Sequence, residues 1–410
     1  MHTLTSASVW LSGGTLDRLL LALTWLTVAM GAVVVPEPAP ADLLMLVLIV
    51  LLPLAGLVRV EPGLGGLLGM MLVAGAAPLL GASRAFEIEL ALVHTGISLY
   101  LYLATIVMAG FIAKRPGAHA SLVLNAYLCA AMVAALAGSI GYFELIPGAR
   151  EMMTRYGRAT GLFKDPNVFG PFLLPAMLYV MSRLIEGQVR RAVLWWATLP
   201  ILGIAILLSF SRGAWLCAGV SLLLFVGLQF LAAPTARMRR KLLALVGMVT
   251  LGGSALVFGS LQLDGVADLF AERAALTQDY DEGPDGRFGG QLKAADLVLE
   301  HALGIGAQQF APYFHHEEPH NTYLALFLNA GWLGGGMFLA IIATTLWHGL
   351  RRAVRYPRQQ PIFLAAYAAL AGHAVEAAVI DIDHWRHFYL LLAVVWGLLA
   401  SARPPQRPAA

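Results

Sequence analysis

Long apolar runs broken by short polar turns take up most of the chain's 410 residues. A hydrocarbon core of roughly 30 Å takes about 20 apolar residues per helical crossing, so the pattern predicts about twelve spans, near residues 17–36, 42–58, 63–81, 88–113, 120–143, 168–186, 192–210, 213–233, 241–262, 322–348, 361–380 and 385–402. The expected fold class is all-α: a polytopic membrane protein with a single transmembrane domain over residues 1–410. The first apolar run exceeds the roughly 7–15 residues of a signal-peptide core. PEPAPAD follows it rather than a small-residue cleavage site, so it reads as a span.

Two of the polar breaks are not short. One covers residues 144–167; the other covers 262–320, between spans 9 and 10, and turns polar and acidic in DGVADLFAERAALTQDYDEGPDGR. Loops of that length in a compact membrane protein usually carry function. Within the larger one Leu292, Ala295, Leu299 and Leu303 recur at helical spacing, which predicts a helix lying over the bilayer face. Gly65, Gly69 and the GWLGGG run from Gly331 read as small residues that allow close helix approach.

Composition sharpens this picture. With 59% hydrophobic and 12% charged residues and a mean hydropathy of +0.73, the chain could not cover a water-soluble domain with polar surface. A formal charge of +3 gives no ground for a nucleic-acid partner. Cys129 and Cys217 both lie in apolar runs without metal-type spacing, so they are expected as small core residues and not as a disulfide framework.

The distribution of charge sets an orientation. Most of the 27 basic residues fall in one set of loops, including Arg18, Arg59, Lys114, Arg115, Arg183, Arg190, Arg191, Arg237, Arg239, Arg240, Lys241, Arg351, Arg352, Arg355, Arg358, Arg403 and Arg407. The positive-inside rule then puts both termini in the cytoplasm and the two long loops outside.

A few ionisable residues stand where that pattern makes them scarce. Arg158, in GRATGLFKDPNVFG, is an interfacial arginine or an anion contact; Asp165-Pro166-Asn167 reads as a turn, with Asn167 capping the next helix. Arg212, in LLSFSRGAWLCAG, either snorkels to the interface or faces a charged ligand. Arg287 follows GPDG and opens the helical part of the large loop. Three arginines gathered at one cavity would suit a diphosphate, because guanidinium donors match phosphate oxygens bidentately.

His320 stands at the boundary between the large loop and an apolar helix, stiffened by Pro319 and followed by Asn321. An imidazole with an ordinary pKa of about 6.5 suits a general base, although His-Asn before a helix is also a capping arrangement. His315, His316, Glu317 and Glu318 are adjacent loop residues, which seldom ligate one metal ion together. A last cluster comprises His373, Glu376, Asp381, Asp383, His384, Arg386 and His387 around the turn between the final two spans. His373 and Glu376 share a helical face and are candidates to line an acceptor cavity, or to form an interhelical hydrogen bond.

Taken together these residues resemble the O-antigen ligase and polymerase superfamily of bacterial envelope glycan enzymes. His320-Asn321, nine residues and then Gly331-Trp332-Leu333-Gly334 reproduces the ligase pattern of His-Asn and Gly-x-x-Gly. Arg212 to Leu216 matches its Arg-x-x-x-Leu element, GLFKDPNVFG resembles the segment before its central helices, and Gly286-Arg287 followed by GIGAQQF resembles its large periplasmic loop. The motifs cover about residues 150–345.

The resemblance implies a metal-independent, inverting glycosyl transfer without a cofactor, on the periplasmic face of the bacterial inner membrane. The donor would be an undecaprenyl-diphosphate-linked glycan. Arg158, Arg212, Arg287 and Asn321 would bind it, and His320 would act as base on an acceptor hydroxyl such as that of the lipid A core. A polymerase joining lipid-linked repeat units, a protein O-oligosaccharyltransferase and a transporter of lipid-linked glycan are the competing readings. The large loop bearing His320 favours chemistry, since alternating-access carriers bind near the bilayer midplane.

Overall fold

The computed structural model describes residues 14–187, 192–233, 235–262, 266–274, 283–356 and 361–401. Arg190, Arg191, Arg358, Arg403 and Arg407, which entered the orientation argument, lie outside them.

The predicted spans are all helices: α1 (Thr15–Ala29), α2 (Pro40–Leu54), α3 (Pro62–Ala82), α4 (Ile88–Lys114), α5 (Pro116–Tyr142), then, after the first long loop, α7 (Pro166–Glu186), α8 (Ala192–Leu208), α9 (Arg212–Ala232) and α10 (Ala236–Ser260), and, after the second, α14 (Thr322–Arg355), α15 (Pro361–Glu376) and α16 (Arg386–Ala400). Among the described residues eight helices are long and apolar enough to cross a membrane, and α2, α8, α15 and α16 are shorter apolar helices. Proline opens α2, α3, α5, α7 and α15, where its missing N–H costs no intrahelical bond and its fixed φ suits the first turn.

The long loops carry their own structure. Short helix α6 (Ala149–Met153) and the antiparallel strands β1 (Thr154–Arg155) and β2 (Arg158–Ala159) fold the first back onto the bundle. The second holds α11 (Val266–Ala274), α12 (Arg287–Glu300) and α13 (Phe310–Tyr313). The helix expected around residues 288–303 is α12, but its buried stripe is Gly290, Ala294 and Leu297, while Leu292 and Leu299 are exposed. Leu297 and Ala294 pack with Ile305, Phe310 and Leu328 in a small core of their own, which sets the facing side one register away from the leucine pattern.

Within the membrane bundle α7 and α15 are buried on nearly all sides, whereas α10 lies at the periphery. Exposed Leu223, Leu251 and Leu43 belong to the lipid-facing belt that such a protein needs. Two buried hydroxyls are satisfied within their own helices: Thr95 and Thr345 donate to the carbonyls of Ala91 and Ile341 one turn back.

Three local expectations are corrected. Asp165, not Asn167, caps α7, its Oδ1 accepting from the Asn167 N–H over 2.7 Å, because Pro166 takes the first helical position. Gly65 and Gly69 face open space, with nothing within 4 Å of an added Cβ, so they mediate no close approach. Cys217 is buried as expected, but Cys129 is exposed on α5.

Gly331 does more than the small-residue reading allowed. At φ 65° and ψ −170° it breaks α14 in a conformation essentially confined to glycine. The loop strand Gly304-Ile305-Gly306 docks into that break: Ile305 N–H donates to Leu328 O over 2.7 Å and Trp332 N–H to Ala302 O over 2.9 Å.

Candidate active site

The N-termini of α2, α4, α7, α9, α14 and α16 meet at the end of the bundle that carries the long loops. Direct contacts tie them together. Gln309 Oε1 accepts from the Glu87 N–H at the start of α4 over 2.9 Å, and Arg386 Nε and Nη2 each donate to a different oxygen of Asp42 over 2.6 Å. Helix N-termini present unpaired N–H groups and partial positive charge, so this end of the molecule favours anions.

Arg158 is buried among them. Its Nε donates to Ser209 O and its Nη2 to Asn167 Oδ1, both over 2.7 Å, so it bridges the start of α7 to the turn that opens α9. Two residues beyond Ser209, Ser211 caps α9 by accepting from the Ala214 N–H over 3.2 Å, and Arg212 stands half-buried in the first turn. Next to it Gly213 abuts Glu376; an added Cβ would lie 3.0 Å from Glu376 Oε1.

His320 lies just outside α14, in the left-handed region at φ 48°. Asn321 caps that helix, its Oδ1 accepting from the N–H groups of Tyr323 and Leu324 over 3.1 and 3.2 Å, which is the capping reading of the pair. Thr322 locks the start of α14 to the α15–α16 turn. Its N–H donates to Ala377 O, its hydroxyl donates to Ile380 O, and the same hydroxyl oxygen accepts from the Ile382 N–H, all over 2.8 Å.

The His320 imidazole, 40% exposed, has its Nε2 3.5 Å from Glu317 Oε2. Burial, and then the positive charge of Arg287, push its pKa below the ordinary imidazole value, while Glu317 and Asp165 pull the other way. The imidazole therefore favours the neutral form that a base needs at neutral pH. The charges of Arg287, at the start of α12, and of Asp165, at the start of α7, thus both act on this imidazole.

Acidic residues border the site. Burial, reinforced by the charges of Asp383 and Glu318, pushes the Asp381 carboxyl well above its usual range against the pull of Arg287. Asp383 is also buried, yet His384 and His94, whose Nε2 lies 3.2 Å from Asp383 Oδ2, hold it below the usual range. Asp42 and His94 were not singled out in the sequence. Asp42 sits at the third position of a helix and His94 inside a span, so the only available signal was a polar residue in an apolar run.

Two of the other expectations fare differently. Among the described residues His315, His316, Glu317 and Glu318 form no joint ligand group; Glu318 accepts from Ala311 N–H over 3.3 Å and His315 turns to the backbone of Glu317. His373 and Glu376 are brought together, but both are fully buried, so they do not line a cavity open to an acceptor. Helix α15 packs against both α9 and α7, which also touch each other.

A cavity of about 820 Å³ lies beside the site, bounded by α1, α2, α4, α7 and α16. Val28, Met45, Leu101 and Phe172 contribute apolar wall, and Asp42, Lys164, Asp165, His384 and Arg386 contribute polar lining. Asp165 therefore belongs both to this cavity and to the surroundings of His320.

These features define a multi-pass membrane protein with a cationic and imidazole-bearing site at one end of its helix bundle. Residues 197–339, about a third of the chain, match the family model described as O-Antigen ligase, so this segment is similar to the ligase- and polymerase-like membrane enzymes of that family. The matched segment contains Arg212, Arg287, His320 and Asn321; Arg158 lies before it. No curated protein matches the chain.

Proposed function

We propose that the protein transfers a glycan from an undecaprenyl-diphosphate donor to a hydroxyl acceptor such as the lipid A core, acting as a single domain in the bacterial inner membrane with its termini in the cytoplasm and this site facing the periplasm. The observation that carries the proposal is the His320 imidazole at the loop end of α14, 40% exposed and 3.5 Å from Glu317 Oε2, on which the charges of Arg287 and Asp165 also act.

His320 takes the proton of the acceptor hydroxyl as its oxygen attacks the anomeric carbon. The bond from that carbon to the diphosphate oxygen breaks, and the electron pair leaves with the diphosphate, giving inversion. Arg158, Arg212 and Arg287, with the surrounding helix N-termini, stabilise the charge that develops on the leaving group. General-base assistance of this kind contributes about 10²–10⁴-fold. The neighbouring apolar cavity suits the prenyl or acyl chain of a lipid-borne substrate, with its polar end toward Asp165.

The test is transfer in nanodiscs with labelled donor and lipid A core. Glycan joined to core lipid, lost in His320→Ala, is the expected result. Unchanged transfer by that variant removes the imidazole from the base role, and a lengthened lipid-linked chain as product makes the protein a polymerase instead.

A further inference from the structure

The transfer chemistry leaves a second cluster of reactive side chains unused, deep between α9, α15 and α16. Cys217 of α9 and His373 and Glu376 of α15 are each fully buried, and one ligand atom from each lies within 4.8 Å of the others. His373 Nδ1 is 2.8 Å from Ala369 O and 3.6 Å from Cys217 Sγ, which holds the ring at the thiol.

Most of the polar atoms in this cluster lack a partner. Both carboxylate oxygens of Glu376, Nε2 of His373, Nε2 of His387 and Oγ of Ser221 are buried without a hydrogen bond. Buried polar atoms are nearly always matched, so several orphans in one place call for a missing charge or donor. Protonating Glu376 would remove its charge, but its single O–H could serve only one of the two orphaned Nε2 atoms of His373 and His387.

A divalent cation resolves the charge and the orphaned atoms together. Thiolate and carboxylate carry two negative charges, so the loaded site is neutral overall, as an apolar interior demands. Sulfur, imidazole nitrogen and carboxylate oxygen form the donor set of zinc-class ions. Local packing is adapted to it: an added Cβ at Gly372 would collide with Ser221 Oγ and lie 3.2 Å from Cys217 Sγ, and one at Gly213 would crowd Glu376. These two glycines let α9 and α15 approach where the ligands face each other.

We propose that Cys217, His373 and Glu376 bind one zinc-class divalent ion, the Cys217 thiol releasing its proton on binding. His387, whose ring centroid is 5.1 Å from that of His373, borders the site without belonging to its ligand group. The ion fastens α9 to α15 through side chains that the transfer step does not use, so its role is structural.

The experiment is a metal count on full-length protein purified in detergent without chelator. About one zinc-class ion per chain is expected, falling at least about tenfold in Cys217→Ser and in His373→Ala and unchanged in Cys129→Ser, which alters the other cysteine. Wild-type protein stripped with chelator and given cobalt should show thiolate-to-cobalt charge-transfer absorption, a readout that needs no variant to fold. Wild type that carries no ion and takes up neither zinc nor cobalt overturns the proposal, as does full metal retention by Cys217→Ser. Neither result depends on whether glycan transfer occurs.

Discussion

The Ile305 amide donates to the Leu328 carbonyl over 2.7 Å, and this bond seats the large loop in the broken turn of α14. Both partners depend on glycines: Gly304 and Gly306 carry φ of 83° and 92°, and Gly331 supplies the break itself. The Gly-x-x-Gly element is therefore a socket for the loop that delivers His320, rather than only a helix-packing stripe.

Gly331→Ala should destabilise the protein by about 1–3 kcal/mol from backbone strain alone. An added Cβ there would also sit 2.5 Å from Ala302 O, so loop seating should suffer with it. Thermal unfolding in detergent checks the first effect and protease sensitivity of the loop the second. Gly336→Ala, with nothing within 4 Å of its Cβ, should behave as wild type in both.

The pH dependence of transfer should follow the surroundings of His320. Because its pKa is lowered, the neutral base persists at pH values where an ordinary imidazole would be protonated, and the acid limb of kcat/KM should fall below about 6.5. Arg287→Gln removes a charge that lowers the pKa, so the limb of the residual activity should move to higher pH. Glu317→Gln removes a charge that raises it, and the limb should move to lower pH. Shifts in the same direction for both variants would contradict the assignment.

Arg158 and Asn167 should be energetically coupled. Arg158→Lys retains charge but cannot reproduce both 2.7 Å bonds from one planar group, so it should lose about 1.5–3 kcal/mol of stability per lost charged hydrogen bond. A double-mutant cycle with Asn167→Ala, read by chemical or thermal unfolding, should show a non-additive term. Strict additivity would mean that the bridge contributes nothing.

Thr322→Val conserves shape but removes the hydroxyl that serves Ile380 O and the Ile382 N–H. Thr322 is fully buried, so leaving these backbone groups unmatched should cost about 1–3 kcal/mol. Thr322→Ser, which keeps the hydroxyl, should recover much of the loss in the same unfolding assay.

The number and order of the apolar helices were legible in the chain because a crossing is a local property of length and hydropathy. The capping role of Asn321 was likewise within reach of turn chemistry, whereas the start of α7 was read one turn position late, at Asn167 instead of Asp165-Pro166. The facing side of α12 was not. Leu292 and Leu299 have the right spacing for a buried stripe, but Ala294 and Leu297 are the residues that find partners in Ile305 and Phe310.

Sequence by itself determined an all-α membrane chain, two loops long enough to hold function, and a set of scarce cationic residues with one imidazole at a helix boundary. Only tertiary structure decided that Asn167 serves Arg158 instead of capping α7, that the charges of Arg287 and Asp165 reach His320, and that His373 and Glu376 are sealed against Cys217. The reason is range: hydropathy and capping act within a few neighbouring residues. The environment of an ionisable group is set by segments that folding brings together from distant parts of the chain.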